Sequence, residues 1–223
     1  MVTGALQLGT FATRTVVHER SAVRVPDGLP AEQACLIGCA VATGVMSALE
    51  TAKVWEGSRV AVIGCGAVGL SVVQGCRIAG AAEIRAIDLD ERKLEAALRF
   101  GATDTGEGEE LDFVFDVVGL AATVESALGM LGHAGTLVYV GLPRRGEVAQ
   151  VPLEQLFGKR AAIRVSHGGD HLPAEDFPRL AGWAMDGTLD LAGMVSREIG
   201  LEDVAAAFEE MQRGDVIRSV VRP

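Results

Sequence analysis

Basic side chains are scarce in this chain of 223 residues: Lys and Arg number 20 against 30 Asp and Glu, a formal net charge of −10, and they form no cluster. Nucleic-acid phosphates are gripped by clustered Lys and Arg, so the balance argues against a nucleic-acid partner. No apolar run reaches membrane-spanning length free of charges or glycine clusters, and the first residues show no basic stretch followed by an apolar core. Both absences argue against a membrane partner and for a cytoplasmic address. Cysteines at C-x-x-C spacing are missing too. Cys35, Cys39, Cys65 and Cys76 therefore read as reduced thiols rather than as a disulfide frame. His167 and His171 share a spacing seen in metal sites, but Gly168 and Gly169 between them keep the pair off one helical face, so they read as loop residues.

What is present is a globular composition: 49% hydrophobic and 22% charged, enough to bury a core in one large α/β domain or in one domain with a smaller partner. The stretch Arg59 to Asp88 organises the rest. Arg59 to Ile63 is a short apolar, β-branched run of the kind that becomes a buried parallel strand. Gly64-Cys65-Gly66-Ala67-Val68-Gly69 follows at once as G-x-G-x-x-G, then an apolar segment to Ala79 suited to a helix on a sheet. A second run, Glu83 to Ile87, ends in Asp88, 19 residues after Gly69, where a dinucleotide fold needs its ribose acceptor.

Each residue type has a mechanical reason. Gly64 allows the tight turn out of the strand, Gly66 lets backbone approach a pyrophosphate, and Gly69 lets the helix lie close on the sheet. The helix N-terminus offers unpaired N–H groups and a positive dipole end to the phosphates. Asp88 can accept ribose hydroxyls, and its charge repels a 2′-phosphate, favouring NAD over NADP; Arg92 and Lys93, four and five positions on, can fold back over the same ribose.

Alternation continues along the chain: a helix over 90–100 stopped by Gly101, strands over 112–118 and 135–140, a helix over 121–131 between them, a short helix over 153–157 and a strand over 161–166. This interval predicts a doubly wound parallel sheet covered on both faces. Residues 34–53 read as mainly helical with an interruption near Gly38 to Thr43. Outside the sheet, Thr10 to His18 and Ser21 to Val25 read as strands, 173–185 and 201–213 as amphipathic helices, and 216–221 as a last strand.

Several segments together resemble the medium-chain dehydrogenase/reductase family, within it the zinc-dependent alcohol dehydrogenases of the branch that oxidises hydroxymethyl-glutathione. They are Ala34-Cys35-Leu36-Ile37-Gly38-Cys39 with Ala42-Thr43-Gly44, Thr51-Ala52-Lys53-Val54, the glycine-rich stretch, Arg99-Phe100-Gly101-Ala102-Thr103-Asp104, Asp112 to Gly119, Val140-Gly141-Leu142-Pro143 and Gly214 to Arg218. The resemblance implies a Rossmann doubly wound α/β sheet with remnants of a GroES-like catalytic domain at both ends. Residues 1–39 would be remnant and linker, 40–166 the NAD-binding domain, and 167–223 a segment that packs on the catalytic domain. It implies NAD contacts at Gly64, Gly66, Ala67, Val68, Gly69, Asp88, Lys93, Val140, Gly141, Leu142 and Arg218, with Thr43 beside the nicotinamide as the catalytic-site residue and His167 near the carboxamide. Cys39 falls on a ligand of the catalytic zinc, and 161–166 on the edge strand through which family members form homodimers.

In the family, the chain preceding the matched stretch supplies a first cysteine ligand, a His-Glu ligand pair, a proton-relay hydroxyl and a four-cysteine zinc lobe. The match here starts near residue 9 and includes none of them, so the sequence reads as lacking most of that domain. A catalytic zinc needs three protein ligands; Cys39 is one, which leaves zinc open and Cys39 either a ligand or a small buried core residue. Cys35, Cys65 and Cys76 read as packing residues. Two functions follow: a truncated NAD-dependent alcohol dehydrogenase acting on a small alcohol or aldehyde, or a catalytically incomplete NAD-binding, dimer-forming module, with or without a partner chain that supplies the missing domain. If the terminal segments were built to pack on that domain, Phe11, Val16, Val17, Trp183 and Phe208 belong to an exposed apolar patch.

Overall fold

A run with small and β-branched apolar residues at every position after Arg59 is stable only where both faces are covered. In the computed structural model, which describes residues 9–214 and 216–223, it forms β1 (Arg59–Ile63), with Val60, Ala61 and Val62 fully buried. Expectations that touch residues 1–8 and Asp215 lie outside the described residues.

The remaining strands are β2 (Glu83–Ile87), β3 (Asp104–Thr105), β4 (Leu111–Asp116), β5 (Leu131–Tyr139) and β6 (Ala162–Val165). They pair in parallel in the order β3-β2-β1-β4-β5-β6. This is the order of doubly wound dinucleotide folds, and it confirms the Rossmann sheet read from the sequence. The order reverses between β1 and β4, which puts the ligand crevice outside the carboxyl ends of those strands.

Helices cross between the strands: α3 (Ala67–Ile78), α4 (Glu91–Phe100), α5 (Ala121–Met130) and α6 (Leu153–Lys159). Their limits follow local chemistry. The Asp90 side chain accepts from the Arg92 N–H at the start of α4, and Gly101 ends that helix in the left-handed region. Leu111, Val114, Leu131 and Leu137 of the sheet pack with Ala127 and Leu128 of α5 as one core cluster.

Residues 31–52 are helical throughout, as α1 (Ala31–Leu36), a π-helical turn Ile37–Val41, α2 (Ala42–Met46) and a second π-helical stretch Ser47–Ala52. The interruption expected near Gly38 to Thr43 takes the form of the π turn Ile37–Val41, which holds an extra residue per turn while backbone bonding continues. By length and by the mean hydropathy of its most apolar 18-residue window, 1.6, Ala31–Ala52 passes for a membrane span, yet 61% of that window is buried inside the fold. It is a core helix.

The chain divides into two units, Ile37–Leu172 and Met1–Leu36 with Pro173–Pro223. In the second, α7 (Pro173–Met185) matches expectation, whereas β7 (Val195–Ile199) was not foreseen. It pairs in parallel with β8 (Arg218–Val221), and α8 (Val204–Arg213) lies between them in sequence, so a βαβ crossover replaces the single strand expected there. The strands expected over Thr10 to His18 and Ser21 to Val25 do not form. Their β-branched residues favour extended backbone, but a strand is held by its ladder and neither segment joins one among the described residues; Glu19–Ser21 is a 3₁₀ turn and Val16 is 99% exposed.

Candidate nucleotide-binding site

At the end of β1 the chain turns on Gly64, whose φ of 92° suits glycine and whose N–H donates to the Ile87 carbonyl at 2.8 Å. Gly66 caps α3 with nothing near the place a Cβ would occupy. At Gly69 an added Cβ would sit 1.8 Å from the Gly64 carbonyl oxygen, so helix and loop touch backbone to backbone. No side chain caps α3. Its first-turn N–H groups and positive dipole end are left to favour an anion by about 0.3–1 kcal/mol, more where partly buried.

Asp88 stands at the carboxyl end of β2 with only 11% of its side chain exposed. Its Oδ2 accepts from the Cys65 N–H at 2.8 Å, its Oδ1 accepts from the Asp90 N–H at 3.0 Å, and the Lys93 Nζ lies 3.8 Å from Oδ1. The acid is thus tied to the glycine loop itself, with lone pairs left for hydroxyl donors. Burial, with the Asp88 charge second, pushes the Cys65 thiol up to about 12. Cys65 is a protonated packing residue, as is the fully buried Cys76, whose thiol burial also raises.

Thr43 precedes Gly44, where α2 crosses α3 against Val68. A Cβ on Gly44 would lie 2.4 Å from both the Val68 carbonyl oxygen and the Ser71 Cβ, so the crossing depends on that glycine. Thr43 and Val68 are both half-buried. Val140 and Gly141 follow β5 and donate their N–H groups to the Asp116 carbonyl, each at 2.9 Å; Leu142 beside them is 89% exposed. His167 follows β6 and is exposed. A buried hydroxyl network anchors its segment: Ser166 bonds Ser47 at 2.7 Å and Thr51 at 3.0 Å, and Thr51 donates to Asp170 at 2.6 Å. The topology therefore collects the glycine loop, Asp88, Val140 to Leu142 and His167 at the carboxyl ends of one parallel sheet.

Sequence reasoning missed Asp116, Ser47, Ser166 and Asp170. Asp116 carried a signal: an acid closing an apolar strand three residues before a glycine.

Cys39 is exposed, which removes its reading as a buried core residue. Among the described residues no three of His, Cys, Asp and Glu gather to hold a metal ion, so the donors present do not fit a catalytic zinc. Cys35, expected to pack, is exposed and donates to the Glu32 carbonyl at 3.3 Å. Arg218 opens β8 in the other unit, where its guanidinium donates to the Ile217 carbonyl at 3.3 Å.

Comparison with known proteins agrees with this geometry. A family model described as zinc-binding dehydrogenase matches residues 67–186. Alcohol dehydrogenase class-3 of Drosophila melanogaster is 33% identical over 96% of this chain and 61% of its own length. S-(hydroxymethyl)glutathione dehydrogenase of Saccharomyces cerevisiae is 33% identical over 96% and 60%. The crystal structure of an alcohol dehydrogenase zinc-binding domain protein from Burkholderia ambifaria superposes with a TM-score of 0.89 at 28% identity, covering 93% of this chain and 60% of that one. The chain thus spans about three fifths of the length of the curated relatives it matches. With its sheet order, its glycine loop and more than half its length matched to one family model, the chain belongs to the zinc-binding dehydrogenase family.

Proposed function

We propose that this chain binds NAD and serves hydride transfer between an alcohol and an aldehyde or ketone. One observation carries the reading: Asp88 hydrogen-bonds the glycine loop at the switch point of a 3-2-1-4-5-6 sheet, so phosphate cradle and ribose acceptor form one unit. The backbone N–H groups at Gly66, Ala67, Val68 and Gly69 would hold the pyrophosphate. Asp88, with Lys93 at its flank, would accept the ribose hydroxyls and repel a 2′-phosphate. Thr43 and Val68 would back the nicotinamide, and Val140, Gly141 and Leu142 would present backbone to its carboxamide end. When bound, the nicotinamide supplies the hydride acceptor; the protein's part is orientation and exclusion of water. The names of the two curated relatives support an alcohol as the substrate class.

A second reading, an NAD-binding module that works with a further domain or partner chain, is favoured by Cys39, which has no companion ligands among the described residues. An open apolar hollow of about 290 Å³ supports it as well. The hollow lies within the unit that contains α8, lined by Phe11, Phe208, Met211, Ile217 and Val221 among others, with Phe11 edge-on to Phe208. Assembly as a homodimer through 161–166 is supported by β6, an edge strand with every residue exposed.

The test is calorimetric titration of the purified chain with NAD, beside elemental analysis for metal. We expect binding that Asp88→Ala abolishes. Unchanged affinity in that variant would remove the assignment of Asp88, and no binding by the parent chain would remove the proposal.

A further inference from the structure

Asp116 is fully buried at the last position of β4, and none of its partners carries a positive charge. A buried carboxylate survives only if its oxygens are well supplied with donors. Oδ1 accepts from the Val118 N–H at 2.9 Å and the Gly119 N–H at 3.1 Å; Oδ2 lies 3.1 Å from the Thr123 hydroxyl, whose proton it shares with the Leu120 carbonyl at 2.9 Å and which accepts from the Leu120 N–H at 3.2 Å. The side chain therefore sets the whole turn between β4 and α5. The backbone of the same residue reaches the neighbouring loop, its carbonyl accepting from Val140 and Gly141.

The two loops also cross without side chains between them. A Cβ on Gly141 would lie 2.4 Å from the Gly119 nitrogen, and one on Gly119 would lie 2.9 Å from the Gly141 carbonyl carbon. The position of Val140 to Leu142 is thus fixed from below by the Asp116 carbonyl and from the side by a turn that the Asp116 carboxylate shapes. The adenosine end has anchors of its own, the Asp88 bond to Cys65 and the Gly64 bond to Ile87, and meets the Asp116 turn only where Val118 stands against Gly64.

We propose that Asp116 is a positioning residue for the nicotinamide end of the cofactor, acting through the Gly119–Gly141 crossing. This rests on the NAD reading above. The specificity of the effect separates it from a general role in folding: the part of the cofactor beyond the pyrophosphate should respond much more than the rest.

The experiment compares NAD with ADP-ribose, which lacks nicotinamide, by calorimetry, and follows dihydronicotinamide emission with NADH at saturation. Asp116→Ala leaves the Val118 and Gly119 N–H groups without their acceptor, the second of them buried; we expect NAD to bind about tenfold more weakly, ADP-ribose to stay within about twofold, and the emission change on NADH binding to be lost. Asp116→Asn keeps one oxygen for Val118 and Gly119 and should restore most of the loss. Thr123→Val, which removes one partner of the carboxylate at a half-buried position, should move the same ratio in the same direction by about threefold, and it decides the question if Asp116→Ala does not fold. Equal losses for NAD and ADP-ribose, or an unchanged NADH emission in both Asp116→Ala and Thr123→Val, would overturn the proposal. A parent chain that binds ADP-ribose but not NAD would overturn it too, whereas one that binds neither would instead bring down the NAD reading on which it rests.

Discussion

Two glycines three residues apart in one motif should fail in opposite ways. An alanine at Gly69 drives its Cβ to 1.8 Å from the Gly64 carbonyl oxygen, and the obstacle is backbone, so α3 must lift off the sheet. Overpacking of this kind costs about 1–3 kcal/mol, here near the upper end, against a gain of about 1 kcal/mol in helix propensity. The net loss is about 2 kcal/mol, or about 4–8 °C in Tm for a chain of this size. An alanine at Gly66 meets nothing within 4 Å, and its φ of −73° is open to any residue. There the weaker capping by alanine and the reduced freedom of the unfolded chain cancel to within about 0.5 kcal/mol. The added methyl, however, stands at the mouth of the α3 N-terminus, where a pyrophosphate would sit. Gly66→Ala should therefore keep its Tm within about 2 °C and lose NAD affinity by more than about tenfold. Scanning calorimetry and NAD titration on both variants provide the check. A Gly66→Ala protein as unstable as Gly69→Ala, or one that binds NAD like the parent, would refute the division of labour argued from the loop.

The Arg59 side chain donates to Glu83 at 2.7 Å and, with Arg85, holds its carboxyl below the ordinary 4.5. A depressed carboxylate stabilises the fold above its ordinary pKa and loses that contribution as the pH falls through the folded value. Glu83→Gln should thus melt lower than the parent at pH 7, the two Tm curves converging well below pH 4.5; a gap independent of pH would contradict the pairing. For the edge strand, Val165, 67% exposed on β6, gives a direct probe. Val165→Lys should shift sedimentation from twice the chain mass to the chain mass, and a parent chain already monomeric at micromolar concentration would sink the dimer.

What the sequence made legible was whatever a short window decides. The Gly64 to Gly69 turn, Asp88, the Asp90 and Gly101 ends of α4 and the extents of β1 and β2 all follow from neighbouring residues. Features decided at long range were hidden. The residues of β7 alternate, but Arg197 and Glu198 dilute its apolar signal, and they are accommodated by Glu210 and Arg222, which only the folded chain brings near. Thr10 to His18 had strand composition but joins no ladder among the described residues. Ser47 and Ser166 lie 119 residues apart, and no window joins them. Asp116 showed its turn signature, yet its link to Val140 and Gly141 required the sheet order.

The two edges of the six-stranded sheet are unequal, and that difference governs how far growth by strand addition can run. At one margin β3 is two residues long and its Asp104 is paired with Arg85 at 3.0 Å, a short charged rim that offers little to template another strand. At the other, β6 presents four exposed residues with a free ladder side. Fibre formation needs two adhesive margins on each unit, one to receive and one to offer. With one, any joining of copies edge to edge ends after a single event, at twice six strands, and a surface that would otherwise invite open-ended stacking becomes self-limiting.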